Sequence, residues 1–461
     1  MDRVKAGDIT NSLRRIGTQA GRWVWDHRAL LLVCGLAMVL RLVIAIPLHQ
    51  HSSTSDEREY LFLAGKIVSE KTFQDSNGGW SIKPPGFPAL IAGSYWIFGR
   101  SFLPLFVLNA GFSALAVALG FFLVKLLTGS VVGASWSAGM LALHPSLVIY
   151  GSVLQSEALF IVLLLFAFLG AVKLMITPGF LLAIGMGLFL VAAILTRAIG
   201  LVVAATLLGT LLISLDAPWK VRVLVIGTAA LVIALGLAAW TIRNYAVHHA
   251  FVPVSTFAGT SLLLGNNPYS TGTTTLPGEF YEWADASSAR LRHDNRGTIP
   301  EVEQESINRT IALEWIVTHP VDWARLLGKK ARVYWIYPVT TTADDHRVQL
   351  IAMAGDAFLW AGVIAGIVAL WYQRRMFSPM LAVIVVVSLA HVVMHTEARY
   401  RLPSIALLAL IAGPGLEALL DRGKRMAMKT NRSGIFCAAG ILTLLLIGYC
   451  SAALMFIHGE V

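Results

Sequence analysis

The sequence predicts an all-α protein that crosses a membrane many times, and three observations support this prediction. Hydrophobic residues make up 56% of the 461 residues and charged residues 13%, with a mean hydropathy of +0.70. A soluble domain carries about 25% charged residues, so this chain could not cover its surface in water. Apolar runs of bilayer length alternate with short polar gaps, and every second gap is basic. We therefore expect about eleven transmembrane helices, with further helices on the membrane surface.

A spanning helix needs about 20 mostly apolar residues, and about eleven segments of the chain reach that length. They lie at 29–48, 102–126, 130–149, 157–175, 178–196, 198–215, 221–242, 349–371, 378–395, 402–420 and 434–457. If the chain starts inside, every inside gap is basic, which is the asymmetry of the positive-inside rule. These gaps contain Arg14, Arg15, Arg22 and Arg28, then Lys125, Lys173, Lys220, Arg222, Arg374 and Arg375, and finally Arg422, Lys424, Arg425, Lys429 and Arg432. The pattern favours an odd number of spans.

The net charge of +10 does not indicate nucleic acid as a partner. The basic residues form juxtamembrane clusters, which anionic membrane lipids explain better. Cys34, Cys437 and Cys450 lie in apolar runs and form neither a disulfide framework nor a metal-binding spacing. No cleavage site follows the first apolar run, Leu30 to Leu48, so we expect a retained helix rather than a signal peptide.

The first long outer segment, residues 49–101, contains two stretches typical of helices that lie on the membrane. They are Glu59 to Glu70 and Pro85 to Phe98. We predict one membrane catalytic domain with an extracytoplasmic cap. Its parts are a basic cytoplasmic N-terminus at 1–28, a membrane domain at 29–420, and a basic cytoplasmic loop with the last helix at 421–461.

The second long outer segment, residues 243–348, is the sizeable polar region that forms the predicted cap. Its part 265–300 is rich in Gly, Asn, Thr and Ser and predicts a loop. Its part 301–337 predicts amphipathic helices that are broken at Pro320.

Acidic residues follow the first span directly. Asp56 and Glu57, with Tyr60 nearby, lie where carboxylates could deprotonate a hydroxyl or bind a metal. The alternative is a solvated helix start, with Ser55 as the N-cap. Glu157, at the outer start of the fourth span, is a second candidate carboxylate, and a cap role is its alternative.

Several outer cations suit a phosphate. Lys83 precedes Pro84 and Pro85, which hold it beside a short helix where it could bind a lipid-linked phosphate, unless it only snorkels. Arg197 and Arg243 lie at outer span ends, where an interfacial anchor is the alternative. Inside the first span lies Arg41, which we expect to be structural, either paired with an acid or snorkelling outward.

The last cluster lies at the outer end of the ninth predicted span and in the gap that follows it. His391 and His395 are four residues apart and could share a helix face, but no third metal ligand is evident, so we predict neither a metal nor a cofactor. Arg399 and Arg401, with Tyr400 between them, are better placed for phosphate. A basic flank is the alternative.

These outer carboxylates and cations are the groups needed to move a substituent from a lipid phosphate to a hydroxyl or amine. A carboxylate can deprotonate or position the acceptor, and cations can stabilise the departing phosphate. A transporter would more often bury its charges near mid-membrane, whereas the mid-span segments here are nearly free of charge.

The order of these motifs resembles the GT-C superfamily of polytopic glycosyltransferases, in the branch with the protein O-mannosyltransferases and the bacterial lipid A aminoarabinose transferase. The resemblance covers about residues 29–420. It rests on Asp56-Glu57 with Tyr60, Lys83-Pro84-Pro85 with Pro88, Phe98-Gly99, Ser156-Glu157, Thr196-Arg197, and Arg399-Tyr400 with Pro403.

The resemblance implies an inverting transferase that takes a single sugar from a polyprenyl-phosphate donor at the outer face. It implies Asp56 as the catalytic carboxylate and Glu57 and Glu157 as residues that shape the acceptor site. In the same way, Lys83, Arg197 and Arg399 would contact the lipid phosphate. Glu157 stands where Asp is commoner. No separate soluble C-terminal domain like that of oligosaccharyltransferases is evident, which disfavours a peptide-sequon enzyme.

We therefore expect a multi-pass glycosyltransferase of the bacterial inner membrane, with its active site facing the periplasm. The acceptor would be a lipid such as lipid A of lipopolysaccharide, another cell-envelope glycan, or a protein. Two alternatives stay open: an O-antigen ligase or polymerase that uses a diphosphate-linked oligosaccharide, and a lipid-sugar flippase or transporter.

Overall fold

A computed structural model of the chain describes residues 27–51, 54–272, 276–292, 299–337 and 346–421. These residues form seventeen α-helices and two 3₁₀ helices, with no β-strand among them. The predicted last span at 434–457, Cys437 and Cys450, and nearly all of the basic segments at 1–28 and 421–461 lie outside the described residues. The all-α architecture expected from the sequence is confirmed for the described part.

The helices follow one another with short connections. In chain order they are α1 (Arg28–His51), α2 (Ser55–Glu70), α3 (Gly86–Phe98), α4 (Phe102–Thr128), α5 (Val131–Leu143), α6 (Pro145–Ser152), α7 (Glu157–Ile176), α8 (Phe180–Thr196), α9 (Gly200–Ser214), α10 (Trp219–His248), α11 (Ala258–Gly265), α12 (Gly278–Leu291), α13 (Glu301–Thr318), α14 (Pro320–Trp335), α15 (His346–Ala369), α16 (Arg374–Val393) and α17 (Leu402–Leu420). The 3₁₀ helices are Trp371–Gln373, before α16, and Ala398–Arg401, before α17.

Within the described residues, seven helical segments are long and apolar enough to cross a membrane, so this is a multi-pass membrane protein. They contain α1, α4, α7, α10, α15, α16 and α17. The predicted spans at 178–196 and 198–215 correspond to the shorter apolar helices α8 and α9, of 17 and 15 residues.

The predicted span at 130–149 is two helices rather than one. Helices α5 and α6 are bent by 51° at His144, and together they could form one more span. The break has a local cause, because Pro145 begins α6 and disfavours helical torsion angles in the residue before it. His144 accordingly has φ −58° and ψ 122°, outside the helical region.

The polar gaps fall at two ends of the helix bundle. At one end, the Ser130 hydroxyl donates to a Glu417 carboxylate oxygen at 2.8 Å, and Arg375 Nε donates to the Ser214 carbonyl at 3.1 Å. Arg375 lies in a gap that the sequence assigned to the inside, and the other three residues lie near the ends of predicted spans beside such gaps. The candidate site residues meet at the other end.

The two long segments that the sequence predicts to be outer contribute six helices, and those of the second segment are called the cap. Helices α2 and α3 belong to the first segment and α11 to α14 to the second, and α13 ends two residues before Pro320. The prediction of a loop throughout 265–300 is wrong, because α12 occupies Gly278–Leu291. The sequence from Phe280 to Leu291 has no helix breaker, and Phe280 is buried in a small apolar core with Leu263 and Ile311.

Arg41 holds the broken helix pair together. Its guanidinium is 1% exposed and donates to the carbonyl oxygens of Ala142 at 2.9 Å and Leu141 at 3.1 Å. A third bond reaches the Leu147 carbonyl in α6 at 3.4 Å. The last carbonyls of a helix have no partner inside it, so this side chain takes the place of the helical bonds lost at the bend. Arg41 thus neither pairs with an acid nor snorkels outward, the two expected alternatives, because carbonyl groups bind its buried charge.

Replacing Arg41 by Met removes these donors and keeps a side chain of similar length. Each buried carbonyl left without a partner costs about 1–3 kcal/mol. We therefore expect the thermal unfolding midpoint of the detergent-purified Arg41→Met protein to fall by several degrees. Val43→Met is the control, because Val43 lies on the same helix and is 62% exposed. A wild-type midpoint for Arg41→Met would contradict the role of this residue at the bend.

Candidate functional site

Asp56 lies in the first turn of α2, where Thr54 fixes the start of the helix. The Thr54 hydroxyl accepts a hydrogen bond from the Glu57 backbone N–H at 3.2 Å. The expected N-cap Ser55 is thus wrong by one residue, since Ser55 is already helical. Glu57 follows Asp56 in the same turn and is buried.

The Asp56 carboxylate lies between two cations from distant parts of the chain. Lys83 Nζ lies 2.5 Å from Oδ1, and an Arg399 guanidinium nitrogen lies 2.8 Å from Oδ2. Each oxygen therefore has its own cationic partner. This arrangement brings together the first acidic motif, the Lys-Pro-Pro motif and the late Arg-Tyr motif of the sequence.

The two cations decide the charge of Asp56. Burial by itself would raise the pKa of this carboxyl, but the Lys83 ammonium and the Arg399 guanidinium hold it well below its usual range. Burial likewise would lower the pKa of Lys83, but Tyr60 and Asp56 raise it above its ordinary value. Asp56 and Lys83 are therefore both charged at neutral pH.

A close helix contact places Lys83. A Cβ atom at Gly86 would lie 2.8 Å from the Leu195 carbonyl oxygen and 3.0 Å from the Thr196 hydroxyl. Only glycine lets α3 begin this close to the end of α8. The two prolines before Gly86 restrict the backbone on the other side. Lys83 is thus held near the segment that carries Arg197.

The second acidic motif forms its own ion pair beside the first. Arg197 lies 2.6 Å from the Glu157 carboxylate, whose residue is 2% exposed at the start of α7. The Ser156 hydroxyl accepts a bond from Arg197 at 3.1 Å and lies 3.4 Å from the Tyr60 hydroxyl. Tyr60 therefore links α2, which carries Asp56, to the Glu157 pair.

Tyr400 lies beside both arginines of the site. The guanidinium carbon of Arg399 is 5.6 Å from the centre of this ring, and that of Arg197 is 5.7 Å away. Such contacts favour a cation over an aromatic face. His391 stacks on the same ring, with 4.7 Å between ring centroids.

Two polar residues that sequence reasoning left out also bind Arg399. Glu397 accepts from the Arg399 Nε atom, and the Gln155 side-chain carbonyl accepts from its guanidinium at 2.8 Å. The Gln155 amide in turn donates to Thr54 at 2.8 Å. Both residues lie within two positions of a predicted site residue, and that proximity is the signal that could have found them.

Arg401 lies away from Asp56. It is 1% exposed and binds the Asp356 carboxylate of α15 and the Tyr334 carbonyl, the latter at 3.0 Å. His144, at the bend between α5 and α6, lies 3.3 Å from the same carboxylate. Arg401 thus contributes to a buried polar cluster inside the bundle, and its phosphate-binding role stays a prediction.

Arg243 also has partners elsewhere. Its guanidinium donates to the Trp80 carbonyl at 2.7 Å and to the Phe73 carbonyl at 3.0 Å, and it lies 4.8 Å from the ring centre of Trp240. These bonds fix the first outer loop to the end of α10. Its role in phosphate binding likewise stays a prediction.

In the part of the chain that the structure describes, no group of three His, Cys, Asp or Glu side chains is arranged to hold a metal ion. His391 stacks on Tyr400, as described above, and His395 lies edge-on to the same ring at 5.9 Å. Both histidines thus contact the ring of Tyr400.

No family model matches this chain, and no curated protein does. Solved structures are similar in fold. An archaeal oligosaccharyltransferase AglB from Archaeoglobus fulgidus, in complex with an inhibitory peptide and a dolichol-phosphate, matches with a TM-score of 0.53 at 15% identity, over 93% of this chain and 56% of that one. The same organism's enzyme tethered to an acceptor peptide matches with a TM-score of 0.54 at 13% identity, over 93% and 54%.

A structure of ArnT from Cupriavidus metallidurans bound to undecaprenyl phosphate matches with a TM-score of 0.42 at 16% identity, over 85% of this chain and 78% of that one. The chain spans about half the length of the oligosaccharyltransferases. The fold of this chain is thus similar to that of the two oligosaccharyltransferase structures.

Gly86 and Gly93 lie on the same helix and should respond to alanine in opposite ways. At Gly86 the added methyl group would meet the Leu195 backbone, whereas at Gly93 nothing lies within 4 Å of it. Alanine in an unhindered helix gains about 0.5–1 kcal/mol over glycine. We expect Gly86→Ala to lower the thermal unfolding midpoint and Gly93→Ala to keep or raise it. Equal shifts in the two proteins would contradict the close contact.

Proposed function

We propose that this protein is an inverting glycosyltransferase that moves a single sugar from a polyprenyl-phosphate donor to an acceptor at the outer face of a membrane. The observation that carries the proposal is the Asp56 carboxylate held between Lys83 and Arg399 at one end of a GT-C fold. One of the similar oligosaccharyltransferases was solved with a dolichol-phosphate and a peptide, which supports a lipid phosphate as a ligand of this fold.

The donor phosphate would bind among Lys83, Arg197 and Arg399. These cations lie around Tyr60 and Tyr400 and present fixed positive charge. As the bond between the anomeric carbon and the phosphate oxygen breaks, its electron pair stays on the phosphate. Cations already in place stabilise that charge without reorganising. The guanidinium of Arg197 is kept in position by the buried Glu157, so Glu157 acts on the phosphate through Arg197.

The acceptor hydroxyl or amine would attack the anomeric carbon from the side opposite the phosphate, which inverts the configuration. The proton of the acceptor hydroxyl or amine passes to the Asp56 carboxylate. Glu57 follows Asp56 in the same helical turn. Without donor, both cations bind only the Asp56 carboxylate and lower its pKa, so Asp56 is a weak base. A donor phosphate that shares these cations raises the pKa of Asp56, so the base becomes effective once donor is bound.

The proposed place of action is the periplasmic face of a bacterial inner membrane. Two contacts that join segments beside the gaps assigned to the inside, Ser130 with Glu417 and Arg375 with Ser214, support this proposal. The site residues lie in or beside the other gaps, which the positive-inside rule would direct outward. The acceptor is a lipid, an envelope glycan or a protein, and no cofactor is required by the steps above.

The test of this function compares wild type with Asp56→Asn in cells deleted for the gene. We expect one sugar residue to vanish from an envelope glycan or glycolipid on deletion and to return with wild type but not with Asp56→Asn, as followed by mass spectrometry. Glu70→Gln is the matched control, because Glu70 lies on the same helix and makes an exposed pair with Lys66.

The mass change separates the alternatives. Loss of a whole oligosaccharide repeat would instead support a ligase or polymerase, and a sugar lipid that crosses the membrane with its glycosidic bond intact would support a flippase. Full restoration by Asp56→Asn would refute Asp56 as the catalytic carboxylate.

Lys83→Met and Arg399→Met test the phosphate contacts. A charge-assisted hydrogen bond contributes about 1.5–3 kcal/mol, so each change should raise the donor KM about 10- to 100-fold. Lys66→Met is the control, because Lys66 pairs with Glu70 on the surface. A folded Lys83→Met enzyme with wild-type kinetics would remove Lys83 from the phosphate site.

A further inference from the structure

The cap reaches the Asp56 site through two charged side chains that the chemistry proposed above does not use. Glu301 is the first residue of α13, and Lys330 lies on α14 with 1% of its surface exposed. Neither contacts Asp56. Each binds backbone atoms a few residues before one of the two cations that hold Asp56.

Lys330 binds the end of the helix that precedes Arg399. Its ammonium donates to the Met394 carbonyl at 2.8 Å and to the Val393 carbonyl at 3.1 Å. These carbonyls close α16, and only four residues separate Met394 from Arg399. The partial negative charge of a helix C-terminus favours a cation there. Lys330 thereby fixes where the segment that carries Arg399 begins.

A second contact keeps Lys330 in place. The Asn266 side-chain oxygen accepts from Lys330 at 3.0 Å, and its amide donates to the Val393 carbonyl at 3.0 Å. A Cβ atom at the neighbouring Gly265 would overlap the Met394 carbonyl oxygen. The end of α11 therefore lies directly against the end of α16, and Lys330 fills the remaining space between them.

Glu301 makes the complementary contact before Lys83. One of its carboxylate oxygens accepts from the Trp80 N–H at 2.6 Å, and the other accepts from the Ser81 N–H at 3.1 Å. The Ser81 carbonyl in turn accepts from the Thr256 N–H at 2.9 Å. The N–H and the carbonyl of Ser81, two residues before Lys83, are thus both hydrogen-bonded, to Glu301 and to Thr256.

We infer that Lys330 and Glu301 are positioning residues, through which the cap sets the placement of Arg399 and Lys83 around Asp56. The Glu301 carboxylate accepts from backbone N–H groups just before Lys83. The Lys330 ammonium donates to backbone carbonyls just before Arg399. For its kinetic consequence the inference rests on the proposed transferase function; the backbone contacts stand without it.

The burial of Lys330 indicates that it positions the segment before Arg399 rather than only stabilising the fold. Its partners are neutral oxygens, and burial lowers the pKa of Lys330 to about 7. A buried charge without an ionic partner is costly, and apolar residues of similar size often stabilise a protein more. The Lys330 amine donates hydrogen bonds to the carbonyls of Val393 and Met394, which an apolar side chain could not do. These bonds hold the backbone that leads to Arg399.

Kinetics of purified variants test the inference. We expect Lys330→Met and Glu301→Gln each to raise the donor KM about tenfold or more, since a small displacement of a binding group is costly. Lys330→Arg should recover most of this loss, because a guanidinium still donates to both carbonyls. The exposed neighbours give matched controls, Lys329→Met and Glu303→Gln. A wild-type donor KM in a folded Lys330→Met or Glu301→Gln enzyme overturns the role of that residue.

Hydrogen exchange of the same proteins separates this inference from the proposed function. Lys330→Met should speed exchange in the peptide around 395–401 and leave the peptide around 80–83 unchanged, and Glu301→Gln should do the reverse. This crossed pattern in a protein that transfers no sugar would keep the positioning role and refute the transferase. Equal acceleration in both peptides, or none, would overturn the positioning role.

Discussion

The structure depends on the sharing of one carboxylate, that of Asp56, by two cations that lie far apart in the chain. A largely buried cation is costly unless it is paired, and Lys83 and Arg399 are both paired through Asp56. The pairing therefore requires the first outer loop and the start of α17 to meet. Gly86 allows the first outer loop to pack closely against the end of α8. In the cap, Glu301 and Lys330 hold the backbone before Lys83 and before Arg399.

Much of the fold could be predicted because hydropathy and charge report directly on membrane crossing. The length and hydropathy of the apolar runs were sufficient to predict α4, α7 and α10. The break at Pro145 was not recognised, because its neighbours are as apolar as those of a straight helix. Arg41, which the sequence marked as structural, closes that break through carbonyl groups that no side-chain pattern reveals.

The candidate site was predicted less evenly. Motif order identified Asp56, Lys83 and Arg399, and the structure brings these three together. The spacing of the basic residues alone could not separate Arg399 from Arg401, which have different partners. Both lie in a 3₁₀ helix with about three residues per turn, so side chains two apart leave the helix in different directions. Contacts between remote segments, such as those of the cap, leave no local trace in the sequence.

The ion pairs of the site carry equal numbers of opposite charges. Asp56, Glu157 and Glu397 oppose Lys83, Arg197 and Arg399. These paired groups together produce little field at long range, so they cannot steer a free anion from the aqueous phase. A ligand held at high local concentration by a lipid tail does not need such steering. Under the proposed function, soluble phosphates gain no long-range attraction to the site. The donor would arrive through the bilayer, and its rate of binding would depend little on ionic strength.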